Sequence, residues 1–332
     1  MFHFLCCFST FILVAAFLID LKKQIVMKFI EVKNNSTGEP VKLSYCDYGK
    51  GKPVVLIHGW PLSKEMWEYQ LEPLVNAGLR VIKYDRRGFG KSDKPWAPYD
   101  YDVLAADLKE ILDQLDLREV TLVGFSMGGG EVARYLNAYG NERVSKAVLV
   151  SSILPFLAKT EDNQDGVPTE QSEQMMAQLT NDRIGFLDEF GKQFFGVSMF
   201  NHPVSEPLLE YYRMLASLAS SQATKESMKA FGSTDFRQDT KNITVPTLII
   251  HGSSDKTVPI EISSDKTSKM IANNQYLIYE NAPHGLFYTH RERLNNDLIE
   301  FINTGVVKND TANTTLIHDE GTIVTMTDPL GI

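Results

Sequence analysis

The sequence has few cysteines, and their placement excludes a disulfide framework. Only three of its 332 residues are cysteine, at Cys6, Cys7 and Cys46. The first two are adjacent in an apolar leader, so they lack the paired spacing that marks a small disulfide-stapled domain. The spacing does not match a metal-binding motif either, and we expect no metal site.

Positive charge and flexible linkers are also scarce. The chain has 33 Lys and Arg against 42 Asp and Glu, a formal net charge of −9, and no basic cluster stands out. A nucleic-acid partner is therefore not expected. No Pro/Gly/Ser-rich linker, internal repeat or low-complexity run divides the chain, so one main domain is predicted.

One long apolar stretch is present, at residues 2–19, and it carries no Lys, Arg, Asp or Glu. A run of about 18 residues reaches the lower limit for spanning a bilayer. It lacks the basic start and the small-residue cleavage site of a secretory signal. Met27 offers a second start, so residues 1–26 are expected to be either an untranslated leader or a membrane segment. A cytoplasmic location is predicted, with anchoring through residues 2–19 as the alternative.

Beyond the leader, strand-like and helical patterns alternate. Apolar and polar residues alternate around the turn-rich "NNSTGEP", which predicts a hairpin. The runs typical of buried strands are 53–59, 80–85, 120–126, 146–152, 246–252 and 276–280. They are continuous in Val, Ile and Leu, which favours a parallel sheet buried on both faces. Helical spacing occurs in 101–115 and in 129–140, where Gly140 is a plausible C-cap.

These patterns predict an α/β fold with a mostly parallel sheet and helices on both faces. The interval 153–239 has no strand-like run and is rich in Phe and Met, so we expect a helical cap there, inserted over the sheet. The domain is predicted to extend over residues 27–303. The tail, residues 304–332, is predicted to be disordered, with an interaction segment as the alternative.

The stretch "VGFSMGGG", residues 123–130, places Ser126 between glycines two positions away on either side. It follows a predicted buried strand and precedes a helix, the context in which G-x-S-x-G lifts a nucleophilic serine above a sheet. A Cβ at Gly124 or Gly128 would collide with the neighbouring strand or helix. A phosphate-binding turn is the alternative, but the stretch has neither a G-x-G-x-x-G register nor a Lys-Ser/Thr pair.

Partners for Ser126 follow in the chain order of a Ser-Asp-His triad. Asp255 lies in "LIIHGSSDKTVP" after one strand, and His284 lies in "NAPHGLFYTH" after the last. A buried carboxylate would fix the tautomer of the imidazole. His290 is the competitor for the base, but it is expected on the surface of a helix.

The two strand-end histidines, His58 and His251, are interpreted as structural. Oxyanion donors are expected at the backbone N–H of Met127, after the nucleophile, and of Trp60, in the loop "HGWP". Trp60 could instead be a large residue that only closes the loop. Apolar residues that suggest a substrate pocket, or else belong to the ordinary core, are Phe125, Pro61, Val258, Phe156 and Phe195.

The motifs "HGWPLSKEMWEYQ", "YDRRGFGKSDKP" and "LVGFSMGGGEVARY" resemble the cofactor-free haloperoxidase and arylesterase group of the α/β-hydrolase superfamily, also called non-heme chloroperoxidases or perhydrolases. The similarity runs from about Lys28 to Asn303. It implies no cofactor, an ester or carboxylic acid substrate, and hydrogen peroxide as a second nucleophile whose peracid product oxidises halide away from the enzyme. The roles it implies are Ser126 as nucleophile, His284 as base, Asp255 as its orienter, and Trp60 and Met127 as oxyanion donors.

Other functions remain open at this point, because fold alone does not decide function. One is a ligand-binding protein that keeps the triad without turnover, and another is a lyase or oxygenase using the same residues. A serine in place of an aspartate nucleophile argues against dehalogenase and epoxide hydrolase chemistry.

Pro61 either directs the Trp60 carbonyl toward bound hydroperoxide or only stiffens the loop. A homo-oligomer is compatible with the sequence.

Overall fold

A computed structural model of the chain describes residues 28–33 and 37–308, together with strands 315–317 and 323–325. Its sheet has the strand order β1-β2-β4-β3-β5-β6-β7-β8-β9-β10. The strands are β1 Lys28–Val32, β2 Val41–Tyr48, β3 Pro53–Ile57, β4 Arg80–Tyr84, β5 Val120–Phe125, β6 Val144–Val150, β7 Thr247–Gly252, β8 Asn274–Tyr279, β9 Thr315–Ile317 and β10 Ile323–Thr325. Strands β3 to β8 pair in parallel, whereas the pairs at either end are antiparallel.

Helices join the strands and cover both faces of the sheet. They are α1 Glu68–Asn76, α2 Tyr101–Gln114, α3 Met127–Tyr139, α4 Thr169–Asn181, α5 Arg183–Phe194, α6 Glu206–Ser217, α7 Ser221–Ser233, α8 Arg237–Lys241, α9 Ser264–Thr267, α10 Leu286–Thr289 and α11 Arg291–Thr304. Short 3₁₀ turns occur at Lys64–Trp67 and Ile260–Ile262.

The continuous apolar strands supply two cores because successive side chains of a strand point to opposite faces. In β3, Val55 and Ile57 join one buried cluster, and Val54 and Leu56 join the other. Helices α2 and α3 bury apolar stripes in the first cluster, and α1 and α11 do so in the second. The predicted α/β class, with a mostly parallel sheet between two helical layers, is confirmed.

Several local predictions are also confirmed. Strands β1 and β2 form the expected hairpin, with Lys28 opposite Tyr45. Helix α3 ends at Gly140, which has a φ of 72° and donates its N–H to Leu136 O. The helix begins two residues earlier than its apolar spacing indicates, because the turn after Ser126 passes directly into it.

The interval predicted as a cap contains α4 to α7 and the start of α8. In the tail predicted to be disordered, β9 pairs with β8 and β10 pairs with β9, both antiparallel. The other tail residues from 309 onward, like the leader 1–26, lie outside the described residues. Within the described part of the chain, every helix is too short or too polar to cross a bilayer.

Candidate active site

Ser126 lies in a sharp turn between β5 and α3, with a φ of 54°. A positive φ is uncommon for a residue with a side chain, and such strain is typical of functional sites. A Cβ on Gly124 would lie 2.5 Å from Gly128 O, and one on Gly128 would lie 2.7 Å from Ile57 O. Only glycines therefore let strand and helix approach closely enough to form this turn, as the sequence predicts.

His284 lies in the loop after β8, buried beside Ser126. Its Nε2 is 3.0 Å from Ser126 Oγ, and its Nδ1 is 2.6 Å from Asp255 Oδ2. An ionised carboxylate only accepts hydrogen bonds, so Nδ1 carries the proton and the Nε2 lone pair faces the serine hydroxyl. This tautomer lets the imidazole take a proton from Ser126.

Asp255 lies in the loop after β7, with its carboxylate fully buried. Its Oδ1 accepts hydrogen bonds from the N–H groups of Thr257, at 2.9 Å, and Val258, at 2.8 Å. Burial alone would raise the pKa of Asp255, but the charge of His284 and the hydrogen bonds from His251 and His284 outweigh it. The pKa is therefore held well below its usual range, and the carboxylate stays ionised beside the imidazole.

The two predicted oxyanion positions follow neighbouring strands. Met127 is the first residue of α3, where the helix N-terminus presents free N–H groups. Trp60 follows β3, and its loop lies against the nucleophile: a Cβ on Gly59 would come within 3.2 Å of Ser126 Cβ. The Trp60 indole points away from the sheet, and its Nε1 donates to Thr224 O of α7 at 2.9 Å.

The three residues predicted to bind substrate have different surroundings. The Phe125 ring is fully buried and packs on the His284 imidazole, with ring centroids 4.9 Å apart. Pro61 lines a small apolar cavity beneath α5 and α6. Val258 is buried, and its backbone groups contact Asp255 and His251.

Two other suggested pocket residues lie in different places. Phe195 packs against Phe194, whose ring is 4.8 Å from that of His284. Phe156 lies beneath the guanidinium of Arg237.

A buried polar network beside the nucleophile escaped sequence reasoning. The Arg86 guanidinium forms an ion pair with Glu131 of α3 and donates to His58 O at 2.8 Å. Tyr84 donates its hydroxyl to Glu131 Oε2 at 2.8 Å. The network joins the end of β3, which leads to Trp60, to the helix that begins at Met127. A charged residue directly after the GGG of a helix that must pack on a sheet was the signal that could have revealed it.

His58 is part of the same network and is fully buried. Its Nε2 accepts the Arg86 backbone N–H at 3.0 Å, and its Nδ1 lies 2.9 Å from Gly59 O. Burial, with the adjacent charge of Arg86, places the pKa of His58 well below its usual value. His58 is thus a neutral structural histidine, in agreement with its sequence-based interpretation.

The other two histidines differ in their relation to the site. His290 lies in the turn between α10 and α11, half-buried, and its ring contacts Thr289 rather than Ser126. His251 is fully buried with its Nε2 3.2 Å from Asp255 Oδ2, a contact that the sequence did not indicate.

The arrangement suits nucleophilic attack by a serine. The hydroxyl, the imidazole and the carboxylate are within hydrogen-bond reach in series. Within residues 28–33 and 37–308, no three His, Cys, Asp or Glu side chains are grouped as they would be around a metal ion.

Comparisons with known proteins agree with this geometry. The model of the alpha/beta hydrolase fold family matches residues 52–291. The chain is 39% identical over 270 residues to a non-heme chloroperoxidase of Kitasatospora aureofaciens, covering 81% of this chain and 98% of that protein. It is 37% identical over 270 residues to a bifunctional esterase/perhydrolase of Acinetobacter calcoaceticus, covering 80% and 98%. A bromoperoxidase structure from Bacillus anthracis superposes with a TM-score of 0.80 at 46% identity, covering 84% of this chain and all of that one. The chain therefore belongs to the alpha/beta hydrolase fold family.

Proposed function

We propose that the protein is a serine hydrolase that cleaves carboxylic esters through an acyl-enzyme on Ser126. The observation that carries the proposal is the buried series of hydrogen bonds from Ser126 through His284 to Asp255, at 3.0 and 2.6 Å. The tautomer imposed by Asp255 leaves His284 ready to act as a base. In this proposal Ser126 is the nucleophile, His284 the acid–base group and Asp255 its orienter.

The first half of the reaction forms the acyl-enzyme. His284 takes the hydroxyl proton as Ser126 Oγ attacks the ester carbonyl carbon. The backbone N–H groups of Trp60 and Met127 stabilise the negative charge on the carbonyl oxygen, which is usually the largest electrostatic contribution to such catalysis. The C–O bond to the alcohol then breaks, and His284 returns the proton to the departing oxygen.

The second half transfers the acyl group from Ser126 to a small nucleophile. Water gives the carboxylic acid, and hydrogen peroxide gives the peracid; in either case His284 takes the proton of the nucleophile and returns it to Ser126. Relatives named chloroperoxidase and esterase/perhydrolase support hydrogen peroxide as the second nucleophile. We further propose that Pro61 influences the choice between the two by directing the Trp60 carbonyl.

The surroundings of Ser126 are enclosed and aromatic. Ser126 is only 6% exposed, and aromatic rings of Phe125 and Phe194 pack on its histidine partner. We propose that residues 153–239 form a cap which closes the site, within one domain over 27–303. Support for this comes from Trp60, which packs against Phe186, Phe190 and Phe231 of α5 and α7.

The proposal is tested with p-nitrophenyl acetate in stopped flow. We expect a burst of p-nitrophenol equal to the enzyme concentration or, if deacylation is fast, steady turnover that a phosphonate stops by labelling Ser126. Ser126→Ala abolishes both, and Asp255→Asn lowers kcat on the order of 10⁴-fold by favouring the wrong imidazole tautomer.

The same variants should also lose the ability to form peracid from acetate and hydrogen peroxide, measured in a matched assay. Undiminished ester turnover in Ser126→Ala would overturn the proposal. Near-normal turnover in Asp255→Asn would remove Asp255 from the mechanism. The same two activities in Pro61→Leu show whether this residue affects the choice of nucleophile.

A further inference from the structure

A second histidine, besides His284, reaches the carboxylate of Asp255. His251 lies near the end of β7 and is fully buried. Its Nε2 is 2.9 Å from Val258 O and 3.2 Å from Asp255 Oδ2. Its Nδ1 is 2.7 Å from the hydroxyl oxygen of Ser264, at the start of α9.

The partners of His251 determine which nitrogen carries its proton. A backbone carbonyl and an ionised carboxylate can only accept hydrogen bonds, so Nε2 must be protonated and its N–H is shared between Val258 O and Asp255 Oδ2. In the neutral ring Nδ1 is then the acceptor, and Ser264 donates its hydroxyl to it. The hydrogen bond from Ser264 therefore holds the His251 ring in the orientation in which its Nε2–H meets Val258 O and Asp255 Oδ2.

Oδ2 of Asp255 consequently accepts from two imidazoles, His284 at 2.6 Å and His251 at 3.2 Å. Each donor to a carboxylate withdraws negative charge from it and makes it a weaker acceptor for the others. A second donor on the same oxygen also restricts its rotation, and so fixes the direction in which His284 Nδ1–H must point.

We propose that His251 is a positioning residue for the catalytic triad, which holds Asp255 Oδ2 in place and limits how strongly the carboxylate stabilises protonated His284. This proposal rests on the proposed serine hydrolase function. The hydrogen bonds then form one series from Ser264 through His251, Asp255 and His284 to Ser126, with Ser264 and Ser126 at its two ends.

The groups that surround His251 are mostly uncharged. The elements packed around His251 present Asp255 and Val258 from the loop after β7, Ser264 from α9, and Ile278, its register partner on β8. Of these, only Asp255 is titratable. The groups that act on Asp255 in turn are His284 and His251.

Three variants separate positioning from simple core packing. His251→Gln keeps an N–H donor at the place of Nε2, and His251→Leu removes it with similar bulk. Ser264→Ala removes the hydrogen bond that orients the ring, so the contact between Nε2–H and Asp255 weakens. The readout is the midpoint of the acid limb of kcat/KM, measured with p-nitrophenyl acetate between pH 5 and 9 on the full chain.

With one donor lost, the carboxylate stabilises protonated His284 more strongly, and the acid limb moves to higher pH. We expect a shift of roughly 0.5 to 1 pH unit in His251→Leu, a smaller shift in the same direction in Ser264→Ala, and almost none in His251→Gln. Equal midpoints in the Leu and Gln variants would overturn the proposal, since a purely structural role predicts no difference between them. If His251→Leu does not fold, an unshifted Ser264→Ala overturns it in the same way.

A measurement without substrate keeps this test separate from the proposed function. In ¹H NMR of the full chain, the proton between His284 Nδ1 and Asp255 should move downfield in Ser264→Ala and His251→Leu, because Asp255 has fewer competing donors. It should stay near its original position in His251→Gln. If Ser126→Ala retains ester turnover, the hydrolase proposal fails, yet this resonance still decides whether His251 acts on Asp255. An unchanged resonance in Ser264→Ala and His251→Leu contradicts the inference.

Discussion

Two regions contact the candidate site in different ways. One is the set of loops at the carboxyl ends of the strands, called the sheet edge below, and the other is the group of helices above it. At the sheet edge, Asp255 accepts four hydrogen bonds. The Arg86 guanidinium contacts both His58 O and the Glu131 carboxylate. From the region 153–239, the contacts with Trp60 and His284 are mainly aromatic rings, accompanied by the hydrogen bond between Trp60 Nε1 and Thr224 O.

Hydrogen bonds depend steeply on direction, whereas ring packing depends mainly on volume. The sheet edge can therefore fix atoms to within a fraction of an ångström, which acyl transfer requires. The helices above it can shape and close a pocket while allowing some freedom of orientation. Substitutions at the sheet edge should thus affect kcat and stability, and those above it should affect KM.

The largest effect is expected when the buried ion pair of the sheet edge is broken. Arg86→Met leaves the Glu131 carboxylate buried without its cation, and breaking a buried pair in this way costs about 3–5 kcal/mol. We expect the free energy of unfolding in urea to fall by that amount. Because Arg86 also holds His58 O, kcat for p-nitrophenyl acetate should fall as well.

The matched control for that variant is the double substitution Arg86→Met with Glu131→Gln. It removes both charges and keeps an acceptor for the Tyr84 hydroxyl, so it should be more stable than Arg86→Met alone. A double variant as unstable as the sum of the two single ones would show that the pair does not act as a unit.

A smaller effect should appear in the pH dependence of stability. The pKa of His58 is lowered in the folded chain, so below about pH 6.5 the unfolded chain binds a proton there that the native chain does not. Stability is therefore lost as pH falls, with a slope of about 1.4 kcal/mol per pH unit from this residue. His58→Gln keeps an acceptor for Arg86 N–H and should remove that part of the slope.

Urea unfolding at several pH values from 7 to 5 measures this slope. The exposed His202, replaced by asparagine, provides the control, because its surroundings change little on unfolding. Parallel pH curves for the original chain and His58→Gln would contradict the burial of a neutral imidazole at the sheet edge.

The smallest effect is expected above the sheet. Phe190 meets Trp60 edge to face, with ring centroids 5.2 Å apart, and Phe190→Leu removes this contact. Such a pair contributes roughly 0.5–1.5 kcal/mol. We expect KM for aryl esters to rise about 2- to 10-fold with kcat nearly unchanged. This pattern is typical when the bound substrate and the transition state lose the same amount of binding energy.

Phe200→Leu is the control for this comparison, because Phe200 lies on the loop between α5 and α6 and is 93% exposed. A loss of kcat in Phe190→Leu as large as in Arg86→Met would remove the distinction between the two regions.

Much of the fold was predictable because its signals are local. Continuous Val, Ile and Leu runs predict buried parallel strands, and apolar spacing within 101–115 predicts α2. The turn at Ser126 was predictable as well, since only glycines at 124 and 128 permit the close approach. Asp255 and His284 could be named in advance because each follows a strand that ends at the same edge of the sheet.

The remaining features depend on residues that are far apart in the chain. The sequence analysis interpreted His251 as structural, and no local pattern predicts that it lies 3.2 Å from the Asp255 carboxylate. Nor does any local pattern predict that Arg86 pairs with Glu131. The sequence by itself determined which segments form strands and helices and where the serine turn lies, because hydrophobic periodicity and glycine sterics act between neighbours in the chain. Only the tertiary structure decided which buried polar groups form hydrogen bonds with one another. A buried polar group needs a hydrogen-bond partner, and the packing of residues distant in the chain determines which partner is within reach.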